Sequence, residues 1–258
     1  MPKINKDSTL NITFVGIGLC LLCSAIISFI AIQLRSVQDN NVVLDMQKKI
    51  VSSAGLEKVY GSVENAMSNI KTLIIDLDKG EIADINPDTY ELAKELREDG
   101  KYKFLSAEED VASIKKREKY SKIYIEYKGN EINTLILPVR GYGLWGILYG
   151  YLAIEGDFNT VAGLEFYEHK ETPGLGAEID NPKWKALWKG KKIYQENGEV
   201  TLKVIKGSVI ETSDNFSYEV DGLSGATLTC NGVSNLIAYW MGNDGFLNFI
   251  NNLQKTDV

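Results

Sequence analysis

The sequence predicts an α+β protein in which a single N-terminal transmembrane helix leads into a domain built on antiparallel sheet with flanking helices. Three observations predict it. From Ser8 to Leu34 no residue is charged, and the stretch 12–32 is strongly apolar; about 20 such residues suffice for a helix to cross a bilayer. From Lys122 to His169 the chain reads as short strands separated by turns, with no helical stretch between them. Helical patterns lie before and after that region, which favours an antiparallel sheet over alternating βαβ units.

In chain order, residues 1–10 form a short cytoplasmic tail, 11–34 the transmembrane helix, 35–120 a helical linker and variable α/β region, and 121–258 the main domain. The competing reading of the apolar run is a cleavable signal peptide, whose apolar core is usually about 7–15 residues. This run is longer and no small-x-small cleavage site precedes Arg35, so an uncleaved anchor is expected. Lys3 and Lys6 precede the span, whereas Arg35, Lys48 and Lys49 follow it, a slight preference for a cytoplasmic N-terminus.

Residues 41–56 read as an amphipathic helix continuing the anchor, with Val42, Met46 and Ile50 on one side and Lys48 and Lys49 on the other. Thr72–Leu77 is a short strand ended by the turn Asp78-Lys79-Gly80. Pro87 to Arg97 looks helical, with Asn86 as its N-cap. The charged segment 107–122 reads as an exposed helix or loop. Ile123–Tyr127 and Ile132–Leu137 flank Lys128-Gly129-Asn130 as a hairpin. Trp145–Glu155 and Thr160–His169 supply two more strands around Gly156-Asp157. Asp180–Trp188 is a short helix with Trp184 and Trp188 on one face. Thr201–Lys206 and Val209-Ile210 return to strand. Leu228–Leu253 is helical, broken near 242–245.

Composition narrows the function. A net charge of −7 with no Lys/Arg block interleaved with aromatics argues against nucleic acid as a partner. Three cysteines make no disulfide framework, and Cys20 and Cys23 lie inside the apolar run, where two small buried residues are expected rather than a redox pair. His169 is the only histidine, which excludes a His-rich metal site. There is no Gly-rich dinucleotide or P-loop fingerprint, no internal repeat and no low-complexity linker.

The segment most suggestive of chemistry is Asp221-Gly222-Leu223-Ser224-Gly225-Ala226-Thr227, just before the last apolar helix. Small residues opening a helix present free N–H groups and the positive end of its dipole, a natural seat for a phosphate. Taken alone, the same residues also suit a turn plus an N-cap hydroxyl. They resemble the flavinylation signature Asp-x-x-(Ser/Thr)-Gly-Ala-(Ser/Thr) of bacterial FMN-binding domains. A second segment, Glu171-Thr172-Pro173-Gly174-Leu175-Gly176, about fifty residues upstream, matches another motif of the same families. With both motifs in order and an N-terminal anchor, the chain resembles the C-subunit family of the Na+-translocating NADH:quinone reductases. The resemblance covers the anchor and residues from about 127 to the C-terminus. The G subunit of the related ferredoxin:NAD+ oxidoreductase shares the anchor and flavinylation motif, although Phe166-Tyr167-Glu168-His169 and Gly141-Tyr142-Gly143-Leu144-Trp145 look more like the sodium-pump family.

The resemblance implies FMN attached through a phosphoester to Thr227, with Ser224, Gly225 and Ala226 letting the backbone approach the phosphate. Asp221 would be read by the flavin transferase that installs the cofactor, or would help hold that enzyme's metal-bound flavin donor. The 171–176 loop would face the flavin ring. Leu175 would pack against it, Gly176 and Gly174 would present N–H groups to its polar edge, and Glu171 or Thr172 would hydrogen-bond the ring or its ribityl chain. Trp145 is either a ring neighbour or a core tryptophan. Thr229 is a second hydroxyl nearby but outside the motif position. The implied partners are the other subunits of a six-subunit redox complex in the bacterial inner membrane, with the large domain periplasmic, and NADH oxidation and quinone reduction belong to those subunits. A different class of function uses the same architecture as a membrane-anchored binding module without flavin, the Gly-Ala-Thr loop being only a helix cap.

Overall fold

A computed structural model describes residues 8–256; the first seven residues of the expected tail lie outside it. Helix α1 runs Thr9–Ser53, uninterrupted by proline or by a capping glycine. The chain divides into two units, one ending at Met46 and the other beginning at Gln47. In the first unit, every side chain from residue 12 to 45 is exposed. Its length and apolar composition are those of a membrane-crossing helix.

The second unit is organised by a six-stranded antiparallel sheet in the order β2-β1-β5-β6-β7-β8. Its strands are β1 (Ile70–Asp76), β2 (Glu81–Ala83), β5 (Tyr120–Lys128), β6 (Glu131–Tyr142), β7 (Ile147–Glu155) and β8 (Val161–Glu168). Two-residue alternation assigns the faces. Ile123, Ile125, Leu135, Leu137, Leu152 and Ile154 point to one core, while Tyr124, Ile136, Tyr151 and Ala153 point to the other. The first core is closed by α5 (Pro182–Ala186), α6 (Thr227–Trp240) and α7 (Leu247–Thr256). The second is closed by Ile50, Val51 and Leu56 with α2 (Glu57–Tyr60) and α3 (Val63–Ser68). Two small ladders complete the unit: β3 (Tyr102–Phe104) with β4 (Lys116–Glu118), and β9 (Lys203–Val204) parallel to β10 (Glu219–Val220).

The structure revises several local expectations. β1 and β2 lie in the same sheet as β5–β8, so residues 70–83 are structurally continuous with the region beyond 121. The helix expected over 87–97 is split into a 3-10 turn at Pro87–Thr89 and α4 (Leu92–Glu95). Tyr90 between them is extended, and its hydroxyl donates to the Tyr120 carbonyl at 2.8 Å, tying the chain to the sheet where a continuous helix would turn away. Asn86 does cap the turn, accepting from Asp88 N–H. The charged stretch 107–122 ends in β4 and the start of β5 rather than in an exposed helix. Arg117 and Glu118 are only 3% and 2% exposed; Arg117 pairs with Asp78, and Glu118 with Arg140 at 2.6 Å. A charge run signals solvent only when its members lack buried partners. Val209-Ile210 is not a strand; the partner of β9 is β10, two residues long and too short for a sequence period.

Candidate functional site

Four loops meet at one end of the sheet. The first is the tight turn Gly143-Leu144-Trp145-Gly146 between β6 and β7, closed by Gly143 N–H to Gly146 C=O at 2.8 Å. The second, 171–176, follows β8. The third, 205–208, follows β9, and the fourth, 221–226, follows β10 and opens α6. Leu175 brings the second and fourth together: a Cβ on Gly225 would lie 3.0 Å from Leu175 Cδ2. Gly225 also has φ +73°, a conformation that glycine adopts without strain. Gly222 N–H donates to Gly207 C=O at 2.8 Å, stitching the third loop to the fourth.

Between the third and fourth loops lies a cleft of about 430 Å³, lined by Lys206, Ser208, Ser224, Gly225, Thr227 and Asn231 among others. Helix α6 starts on this cleft. Its first helical bond runs from Cys230 N–H to Ala226 C=O at 2.9 Å, so the amides of residues 227–229 are its initial donors. Ala226 holds the N-cap position and makes no side-chain capping bond. Thr227 is the first helical residue and is exposed. The helix-cap alternative for the Thr227 hydroxyl is therefore not the arrangement observed.

Asp221 is anchored by its neighbours: its Oδ1 accepts from Val209 N–H at 2.8 Å, and its carbonyl accepts from Trp184 Nε1 at 2.8 Å. Trp184 and Trp188 are both buried as a T-shaped pair, as their placement on one face predicted. Cys230 closes the floor of the cleft and its sulfur accepts from Leu223 N–H at 3.2 Å. Burial pushes the Cys230 thiol above its ordinary pKa, and the Leu223 N–H partly opposes that shift.

The 171–176 loop divides its residues between surface and interior. Thr172 is exposed, and its carbonyl accepts from Leu175 and Ala177 N–H at 3.1 Å each. Leu175 is 45% exposed and Trp145 62%, so Trp145 is no core residue. Glu171, named with Thr172 as a hydrogen-bonding group for the ring or its ribityl chain, is buried. Its Oε1 accepts from Leu144 N–H and Trp145 N–H at 3.0 Å each, and its Oε2 accepts from the Thr229 hydroxyl. A carboxylate at this position has three donors within the protein and no need to reach solvent.

Sequence reasoning did not single out Lys206, Ser208 or Asn231, which belong to short segments without motif or period. It noted Thr229 but assigned it no role. Thr229 did carry a signal: residues 229, 233, 236 and 240 share the buried face of α6, and a hydroxyl on such a face requires a partner.

Residues 143–242 match the FMN-binding domain family. Over 259 aligned positions the chain is 45% identical to the C subunit of the Na(+)-translocating NADH-quinone reductase of Pseudomonas aeruginosa, covering 98% of this chain and 99% of that one. It is 41% identical to the same protein of Vibrio anguillarum, covering 95% of each. The crystal structure of NqrC from Shewanella oneidensis superposes with a TM-score of 0.73 at 31% identity, over 81% of this chain and 96% of that one. The corresponding protein from Parabacteroides distasonis superposes with a TM-score of 0.61 at 26% identity, over 84% and 96% respectively.

Proposed function

Because the chain belongs to the C-subunit family of the Na(+)-translocating NADH-quinone reductases, we propose that it is an electron-carrying subunit of such a membrane complex and holds FMN covalently on Thr227. The observation that carries the reading is the meeting of both motif loops where α6 begins, with the Thr227 hydroxyl exposed on the cleft. Thr229, two residues away, is fully buried and its hydroxyl already serves Glu171. Only one of the two threonines is open to a transferase.

The residues present suit FMN. Lys206 and the first amides of α6 supply positive charge and donors for a phosphate monoanion. Ser208, Ser224 and Asn231 add hydrogen-bonding groups along the cleft. Leu175 and Trp145 offer exposed apolar surface for a flat ring. When bound, FMN accepts and releases electrons at its ring, one or two at a time. The protein's part is to hold that ring in a fixed place and to set its electrostatic surroundings. For attachment, Thr227 Oγ1 would be the acceptor that takes the flavin phosphoryl group from the transferase's donor in a phosphoester bond. The anchored Asp221 loop is what the flavin transferase would read.

The remaining subunits would supply NADH oxidation, quinone reduction and sodium movement, and α1 would hold this one in the bacterial inner membrane with its large domain on the periplasmic side. The test is to purify the full chain from its native membrane and map the flavin by peptide mass spectrometry. An FMN adduct on the Thr227 peptide is expected, and Thr227→Ala should yield flavin-free, folded protein. A normal covalent load in that variant would sink the assignment, and an unmodified wild-type peptide from cells with an active transferase would favour a binding module.

A further inference from the structure

Glu171 is 5% exposed, and among the described residues no cationic side chain lies within ion-pairing distance of it. Its charge is balanced by two backbone amides and one hydroxyl, each from a different part of the site than its own loop. Two glycines make room for the carboxylate. A Cβ on Gly143 would lie 2.7 Å from Oε1, and one on Gly176 would lie 2.5 Å from Oε2 and 2.6 Å from Thr229 Oγ1. The backbone of Glu171 is fixed as well, its N–H donating to His169 Nδ1 at 3.2 Å while His169 Nε2 meets Asp180 Oδ2 at 2.8 Å.

We propose that Glu171 is a positioning residue that locks the 143–146 turn, the 171–176 loop and the start of α6 into one wall, and that its buried negative charge lowers the electron affinity of the flavin on that wall. The proposal rests on the reading that Thr227 carries FMN. Geometry gives the first half: turning the Leu144 and Trp145 amides inward onto Oε1 leaves their side chains facing out, both exposed. Thr229 extends the lock to α6, so the helix bearing Thr227 cannot shift without disturbing the Glu171 carboxylate. Electrostatics gives the second half. A carboxylate shielded from water acts on its surroundings through a low effective dielectric, and adding an electron beside it is disfavoured.

The two halves are tested separately. In flavin-free Thr227→Ala full chain, the Leu144 and Trp145 amides should exchange hydrogen at least about tenfold faster once Glu171→Ala is added. In flavin-loaded full chain, Glu171→Gln keeps an acceptor for those amides but removes the charge, and should raise the flavin midpoint potential. Should the Glu171 variants not fold, Thr229→Val is compared with Thr229→Ser: faster exchange at residues 144 and 145 is expected in the valine variant, with rescue by serine. Unchanged exchange in Glu171→Ala, or equal behaviour of Thr229→Val and Thr229→Ser, overturns the lock. An unchanged or lower potential in Glu171→Gln overturns the electrostatic role. A wild-type chain without flavin would defeat the functional reading instead, and the exchange comparison would still judge the lock.

Discussion

Thr227 and Thr229 differ by two residues on one helix, and that spacing turns one hydroxyl to the cleft and the other to the core. Individual polar groups elsewhere are fixed with similar economy. Asp157, in the β7–β8 turn, accepts from Thr160 and Asn159 N–H, from the Thr160 hydroxyl, and from Lys192 Nζ at 3.0 Å. Partial burial opposes its ionisation, but those bonds outweigh it and hold the carboxyl down to about 2. A depressed folded pKa means stability that is complete above the unfolded value of about 3.9 and is lost as pH falls toward 2. Asp157→Asn should therefore lower the urea midpoint at pH 6, and the gap from wild type should close between about pH 4 and pH 2. A gap that stays constant across that window would show the carboxylate charge to be irrelevant there. That Thr227 stands where the last long apolar helix opens was legible from the sequence. The inward turn of Glu171 was not, since the direction of a carboxylate depends on three donors that only the closed loops bring together.

Among the elements, those with long periods were legible and those shorter than a period were not. The β5–β6 hairpin around Gly129, the strands β7 and β8, and the break between α6 and α7 all follow from alternation or from glycine-rich punctuation. The broken 87–95 segment escapes because a single tyrosine hydrogen bond overrides local helical preference. Helix α6 shows what element-level packing demands. Gly232 faces the Tyr142 carbonyl so closely that any Cβ there would overlap it, and a Cβ on Gly141 would lie 2.6 Å from Leu236 Cβ. The helix bearing Thr227 thus lies flush on the end of β6, the strand that leads into the 143–146 turn. Gly232→Ala should push the two apart, at a cost of about 1–3 kcal/mol, read as a loss of roughly 2–4 °C in Tm per kcal/mol. A variant as stable as wild type would mean that the helix can shift without penalty, which the close approach argues against.

For the whole molecule, the decisive contrast is between the two units. The unit from Gln47 onward encloses two cores, one on each face of its sheet, with Trp188, Trp240, Phe166 and Phe246 fully buried. Residues 12–34 expose Leu, Ile, Val and Phe side chains along their whole length, far more contiguous apolar surface than a protein in water tolerates. At about 0.8 kcal/mol per buried CH₂, transfer of these side chains into lipid is the stable outcome. Deleting residues 1–35 removes that surface and leaves α1 from Ser36 to Ser53, including Ile50 and Val51, which belong to the second core. The truncated chain should appear in the soluble fraction with a cooperative unfolding transition, whereas the full chain should stay in the membrane pellet after carbonate washing. A full chain extracted by carbonate would remove the case for a spanning helix. A truncated chain that aggregates would mean that the domain depends on the deleted residues, contrary to the closure of both cores by residues after Met46.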